Sequence, residues 1–181
     1  KQLLFVIVIS VFVHALMILT GTLFTFKKDD SESGLSVIDR IGTVFTNCGF
    51  IGIPLIRGVF GDEGVFYLMG FLSVFNILLW TYGYYQMCGS FNLRKIITNP
   101  NIIAVCAGLI LFCLPVKLPV FIATPLKMIG DLNTAVSMIL IGILLSSFAP
   151  DKKYIPRLIK FSLVRLAACS VINLAFLLLV Y

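Results

Sequence analysis

The residues of this 181-residue chain with the chemistry to handle a polar solute are few, and most lie in one stretch. It reads Thr46-Asn47-Cys48-Gly49-Phe50-Ile51-Gly52-Ile53-Pro54-Leu55, polar, glycine-punctuated and proline-closed, inside an otherwise apolar run. Thr46 and Asn47 supply side-chain donors and acceptors, and Gly49 and Gly52 admit close approach of a backbone or a ligand. Pro54 lacks an N–H and clashes with the carbonyl of Phe50, so a helix must bend or unwind just before it. Unwinding presents N–H groups at the start of a second half-helix, which suit an anion. It also presents carbonyls at the end of the first, which suit sodium or a proton relay. An ordinary proline kink, with small residues packing helix against helix, is the alternative these residues leave open.

Elsewhere, single polar residues stand in apolar runs. His14, the only histidine, could relay protons at physiological pH; a neutral ring bonded to a neighbouring helix is the plainer reading. Arg165, a turn or so inside the last apolar run, can snorkel towards Lys160 and the interface, or take part in ion coupling or in holding a substrate anion. Asp131, beside Asn133 and Thr134, is expected near a helix start, where a carboxylate is stabilising. Asn76 and Asn173 need partners, which interhelical bonds would provide; for Asn76 the sharper reading is that it lines the solute path. The sequence contains no phosphate-cradling glycine loop followed by Lys-Ser/Thr and no serine elbow, so enzymatic catalysis is not expected. The five cysteines show no CxxC spacing, and neither a metal site, a disulfide framework nor another cofactor is indicated.

The elements that must position these residues are membrane helices. Sixty per cent hydrophobic residues, 12% charged residues and a mean hydropathy of +1.08 lie far from soluble composition. Apolar runs recur along nearly the whole length and leave no room for a separate soluble domain. The first, segment A (residues 3–26), is long enough to span with some tilt and exceeds a signal-peptide core. Because it follows Lys1 at once, the chain is expected to begin inside a longer protein. A polar link, 27–40, contains Asp39 as a candidate helix cap. Segment B (41–60) carries the interruption, and Arg57 with Gly61-Asp62-Glu63-Gly64 reads as a tight polar turn. Segment C (65–87) ends in an aromatic cluster, Trp80, Tyr82, Tyr84 and Tyr85, that marks an interface.

Link 88–100 is followed by the short segment D (101–114). The proline-rich piece 115–126 is expected at the interface rather than across the bilayer. Segment E (128–148), a basic link (150–160) and segment F (161–181) complete six crossings. Alternating sides puts nine basic residues on one face and four on the other, with Arg165 inside F. The net charge of +6 therefore reads as membrane anchoring and topology, not as nucleic-acid binding, and the richer face, including 88–100, is cytoplasmic.

The stretch Asn47-Cys48-Gly49-Phe50-Ile51-Gly52-Ile53-Pro54-Leu55 resembles the signature of the auxin efflux carrier family of membrane transporters. The resemblance continues in Asn99-Pro100-Asn101, Pro125-Leu126, Ile129-Gly130-Asp131-Leu132-Asn133-Thr134, Leu140-Ile141-Gly142 and Arg165-Leu166. It implies an all-α integral membrane fold like that of sodium/bile-acid symporters, with ten helices in two inverted repeats, each containing a broken crossover helix. Residues 1–87 would be the last three helices of the first repeat (broken helix 41–60), 88–100 the cytoplasmic inter-repeat loop, and 101–181 the first three helices of the second. Two helices before A and two after F, including the second broken helix, would then lie outside this sequence. Ala135-Val136 stands where members often have Pro-Leu, and F lacks a late proline near Ser170.

The function implied is secondary transport of a small organic anion such as a carboxylate across the cell membrane, with coupling to H+ or Na+ admitted. Thr46, Asn47, Gly49, Gly52, Pro54 and Asn76 would bind substrate, and His14 and Arg165 are the coupling candidates. The partners expected are the lipid bilayer, the anion and, as a homodimer, a second copy. A non-transporting membrane module, or a transporter remnant that assembles with a partner, is the rival reading.

Overall fold

The computed structural model describes residues 2–24, 34–114, 118–149 and 151–180. Within these, the protein is helical, with no strand. The polar link at 27–33, Pro115, Lys117 and Pro150 lie outside the described residues. Helix α1 (Gln2–Phe24) has 23 residues and reaches about 34 Å at about 1.5 Å per residue, enough to cross a hydrocarbon core of about 30 Å. Its outward residues, including Leu4, Phe5, Val8 and Phe12, are apolar and face lipid in a bilayer. Inward, Ser10, Val13, His14 and Thr20 are buried. The hydroxyls of Ser10 and Thr20 donate to carbonyls one turn back, Val6 and Leu16, at 2.7 Å each, so neither needs a partner on another helix.

Segment B is broken into two half-helices, as its residues predict. Helix α2 (Leu35–Val44) is 10 residues long, about 15 Å, and stops at Phe45, which turns extended (φ −100°, ψ 116°). Residues 45–51 are non-helical, and α3 (Gly52–Leu78) then begins. Pro54 therefore sits in the first turn of a new helix, where its missing N–H costs no hydrogen bond. The second half-helix ends at Gly61, whose backbone (φ 66°, ψ −161°) is open to glycine alone. Past Gly61 the chain comes back so close that a Cβ on Gly64 would meet Phe60 at 2.5 Å and Ile56 at 2.9 Å. Arg57 pairs with Asp62 across this turn at 3.3 Å. Segment C continues through a π-helical turn (Leu79–Gly83) and α4 (Tyr84–Cys88).

One compact unit comprises residues 1–105 and 156–181. Helix α5 (Leu93–Ile97) lies within 88–100, with the Asn92 side chain capping it by accepting from the Lys95 N–H at 3.2 Å. The last helix runs as α8 (Ile155–Leu163), a π-helical turn (Val164–Ala168) and α9 (Cys169–Val180). Helix α1 packs against α2, α3 and α9. Small residues set these distances: a Cβ on Gly70 would meet Val6 at 3.0 Å, and one on Gly42 would meet the Phe161 ring at 2.9 Å. Asp39 is inside α2 rather than capping it, and accepts from Arg157 Nε at 2.8 Å, tying the first half-helix to the last helix. That ion pair wins because both side chains are mostly withdrawn from water, where an unpaired charge is costly.

The second unit covers residues 106–155. Helix α6 (Pro100–Cys113) matches segment D. Segment E starts earlier than its sequence suggests: α7 (Val120–Ser146) is a continuous 27-residue helix with Pro125 inside. A proline this near a helix start forfeits only one bond, to the Phe121 carbonyl, so the piece at 120–126 joins the helix instead of lying apart at the interface. Asp131 is consequently three turns into α7 and exposed, not at its start.

The described helices long and apolar enough to cross a membrane number four, Gln2–Phe24, Gly52–Cys88, Val120–Ser146 and Lys152–Val180, with Pro100–Leu111 shorter. The half-helices of segment B are each too short to cross alone, so a count by helix length falls below a count by apolar runs. The Gly61 geometry generates a test. Gly61→Ala should lower stability by about 1–3 kcal/mol, the cost of a side chain in that backbone region, read by thermal unfolding in detergent. Gly58→Ala, where an added Cβ meets open space, should cost far less.

Candidate functional site

The break at 45–51 is built by its own side chains. The Asn47 carboxamide oxygen accepts from the Phe50 N–H at 3.1 Å, closing an Asx turn that replaces a helical bond. Helical bonding resumes with Ile53 N–H to the Gly49 carbonyl and Leu55 N–H to the Ile51 carbonyl, both at 3.3 Å. Cys48, next but one to Thr46, is half-buried within the break. Thr46, Asn47 and Pro54 are exposed, and a Cβ on Gly49 would meet nothing within 4 Å, so the backbone there is open to a ligand. Gly52 is closer packed, with Cys48 and Leu68 each at 3.8 Å from such a Cβ.

An aromatic ladder supports the break from behind. Phe45, the last residue before it, packs edge-on against Phe75 at 5.4 Å and reaches Tyr82 at 6.5 Å, while a Cβ on Gly83 would meet its ring at 3.3 Å. Phe75 lies 6.1 Å from the His14 ring, and Phe71, one turn earlier, lies 4.7 Å from it. Phe71 also lines a cleft of about 460 Å³ with Ile56, Phe60, Glu63, Gly64, Tyr67 and Leu68, between the second half-helix and the helix that follows Gly61. Its size suits a small organic molecule.

His14 is fully buried, and its Nδ1 lies 2.7 Å from the Ser10 carbonyl on its own helix, not on a neighbouring one. A carbonyl only accepts, so Nδ1 carries the proton in the neutral ring and Nε2 offers a lone pair. Arg165 lies in the π-helical turn, about 15 Å along the last helix from Ile155, and its Nη1 is buried. The residue as a whole is half-buried, and its charge reaches His14, Cys48 of the break and Cys169. A π-helical turn inserts one extra residue and re-aims the side chains around it, as often happens at functional sites.

The π-helical turn that carries Arg165 packs against α1, the helix of His14, and the His14 ring meets Phe75, which in turn meets Phe45 at the edge of the break. The Asn76 Nδ2 donates to the Leu72 carbonyl of its own helix at 2.8 Å; Asn173 likewise bonds Cys169 at 2.7 Å. Both amides use their own helices in place of the interhelical bonds expected of them. The aromatic ladder was missed in the sequence, although Phe71 and Phe75 at i and i+4 mark a shared helix face.

A stability test follows from the Asx turn. Asn47→Asp keeps the acceptor and should hold the unfolding temperature near wild type, whereas Asn47→Leu should lose about 1 kcal/mol, as loss of a cap-type bond does.

No curated protein and no solved structure matches the chain. The model of a family described as membrane transport protein, of the auxin efflux carrier type, matches residues 1–91 and 87–181. That match runs through the broken helix and the helix bearing Arg165, and the chain belongs to this family of membrane transport proteins.

Proposed function

We propose that the protein is a secondary transporter of a small organic anion, a carboxylate in the first instance, and that the broken helix supplies half of its substrate site. The observation that carries this reading is the non-helical stretch 45–51 between two half-helices, in a chain of the membrane transport protein family. Irregular backbone at membrane depth is tolerated where it lines a cavity or is buried in protein. The start of α3 presents the positive end of a helix dipole, worth about 0.3–1 kcal/mol and up to about 2 kcal/mol where partly buried, to a carboxylate. Gly49 leaves room for the carboxylate to approach the backbone.

In this reading the protein makes six crossings here as part of a ten-helix carrier. A second broken helix outside this sequence completes the site, and one bundle moves against the other to alternate access. The chain sits in the cell membrane with the 88–100 loop cytoplasmic, on the positive-inside argument, and is able to pair with a second copy. A proton or sodium gradient drives the flux, with His14 and Arg165 as its side-chain candidates.

Reconstituted into proteoliposomes as the full-length carrier, Asn47→Ala and Pro54→Ala should each abolish saturable carboxylate flux while insertion is retained. Asn47→Asp should also be impaired, because it keeps the turn but sets a negative charge at the mouth of an anion site. Wild-type flux in both Asn47→Ala and Pro54→Ala would remove the broken helix from the site.

A further inference from the structure

Among the described residues, the buried side-chain polar atoms without a hydrogen-bond partner are His14 Nε2, Arg40 Nε, Arg165 Nη1 and Asn173 Oδ1. Such atoms are rare in folded proteins, and a group of them asks for a missing ligand or water. Of these residues, His14 stands on α1, and Arg165 and Asn173 on the helix whose α9 portion packs against α1. Their spacing is regular: Arg165, Cys169, Asn173 and Phe176 recur at helical intervals, and Phe176 meets Phe12 of α1 at 6.1 Å. Asn173 and Phe176 thus mark the face of the last helix that is turned to α1.

The chemistry of the two ionisable members is complementary only through a third group. Arg165 Nη1 is a donor and nothing else. His14 Nε2 accepts when the ring is neutral and donates when it is charged, because Nδ1 is already committed to the Ser10 carbonyl. The two nitrogens do not bond each other, although the Arg165 charge acts on His14. A carboxylate between them would accept from Arg165 and, once His14 is protonated, from Nε2 as well. A charged His14 and the Arg165 guanidinium repel, and one bound anion offsets that repulsion. Proton binding at His14 and anion binding at Arg165 must then strengthen one another, by linkage.

We propose that Arg165 and His14 form a proton-linked carboxylate subsite between the last helix and α1. It rests on the carboxylate-transport reading and gives its substrate and coupling ion a location. The proton comes from the solution with the anion, resides on His14 Nε2 while Arg165 holds the carboxylate, and leaves with it; no bond to carbon is made or broken. The charged and titratable groups on the elements packed against α1 are Asp39 and Arg40 on α2, Arg57, Asp62, Glu63 and Tyr67 on α3, Arg165 on the π-helical turn and Cys169 on α9. Among these, Arg165 is the one whose charge acts on His14.

The test uses the full-length carrier in proteoliposomes, with a 2-oxo acid that stays anionic from about pH 5.5 to about pH 8, the range in which a histidine changes charge. In wild type, KM should fall as pH falls. Arg165→Gln should raise KM about tenfold or more, the loss expected of a charged hydrogen bond to substrate. Arg165→Lys keeps the charge without the planar fork and should raise it less. His14→Gln should flatten the pH profile of KM. Arg165→Lys carries the arginine test if the glutamine variant fails to insert. A wild-type KM in the arginine variants, or a wild-type pH profile in His14→Gln, would overturn the subsite while leaving carboxylate transport standing. Absence of carboxylate flux in wild type would overturn both.

Discussion

Everything in this protein turns on the rule that a backbone in hydrocarbon must satisfy its own polar groups. Along α1 the rule is met by regular helical bonding, and even the buried serine and threonine hydroxyls are spent on carbonyls of their own helix. At residues 45–51 a side chain substitutes instead: the Asn47 carboxamide oxygen accepts from the Phe50 N–H. An interruption held by side chains is open to a competitor that ordinary helix is not. That is the physical link between a motif of Asn, Gly and Pro and a transport protein.

Behind the break the packing is apolar and closely fitted, while Thr46, Asn47 and Gly49 within it stay open, so the few charges near it count. Phe45, Phe75, Phe71 and the His14 ring form a continuous wall, and Gly83 admits the Phe45 ring against the π-helical turn of the neighbouring helix. A guanidinium in such a setting interacts far more strongly than one in water. Arg157, by contrast, has its carboxylate in place at Asp39 and serves to tie the first half-helix to the last helix. The two arginines lie eight residues apart on one helix and do different work because of the groups opposite them.

The broken helix was legible in the sequence because Pro54, Gly49 and Gly52 each carry a backbone consequence that no neighbour can cancel. The turn at Gly61 was legible for the same reason. Pro125 misled because a proline near a helix start costs one bond, not the helix, and a 27-residue α7 absorbs it. Asp39 looked like a cap until its partner, 118 residues further on, was seen; ion pairs of that separation leave no local trace. The π-helical turns and the half-buried setting of Arg165 were equally hidden, since one extra residue in a helix has no compositional mark. Charge counting places an arginine on a side of the membrane, not at a depth.

The central claim is that the break at 45–51 faces the transported anion, and Cys48, half-buried within it, reports on this directly. In a full-length carrier whose other cysteines are replaced, the rate of maleimide labelling at Cys48 should fall as carboxylate is added, saturating at the concentration that half-saturates transport. A labelling rate unchanged by saturating carboxylate, while flux continues, would contradict the account.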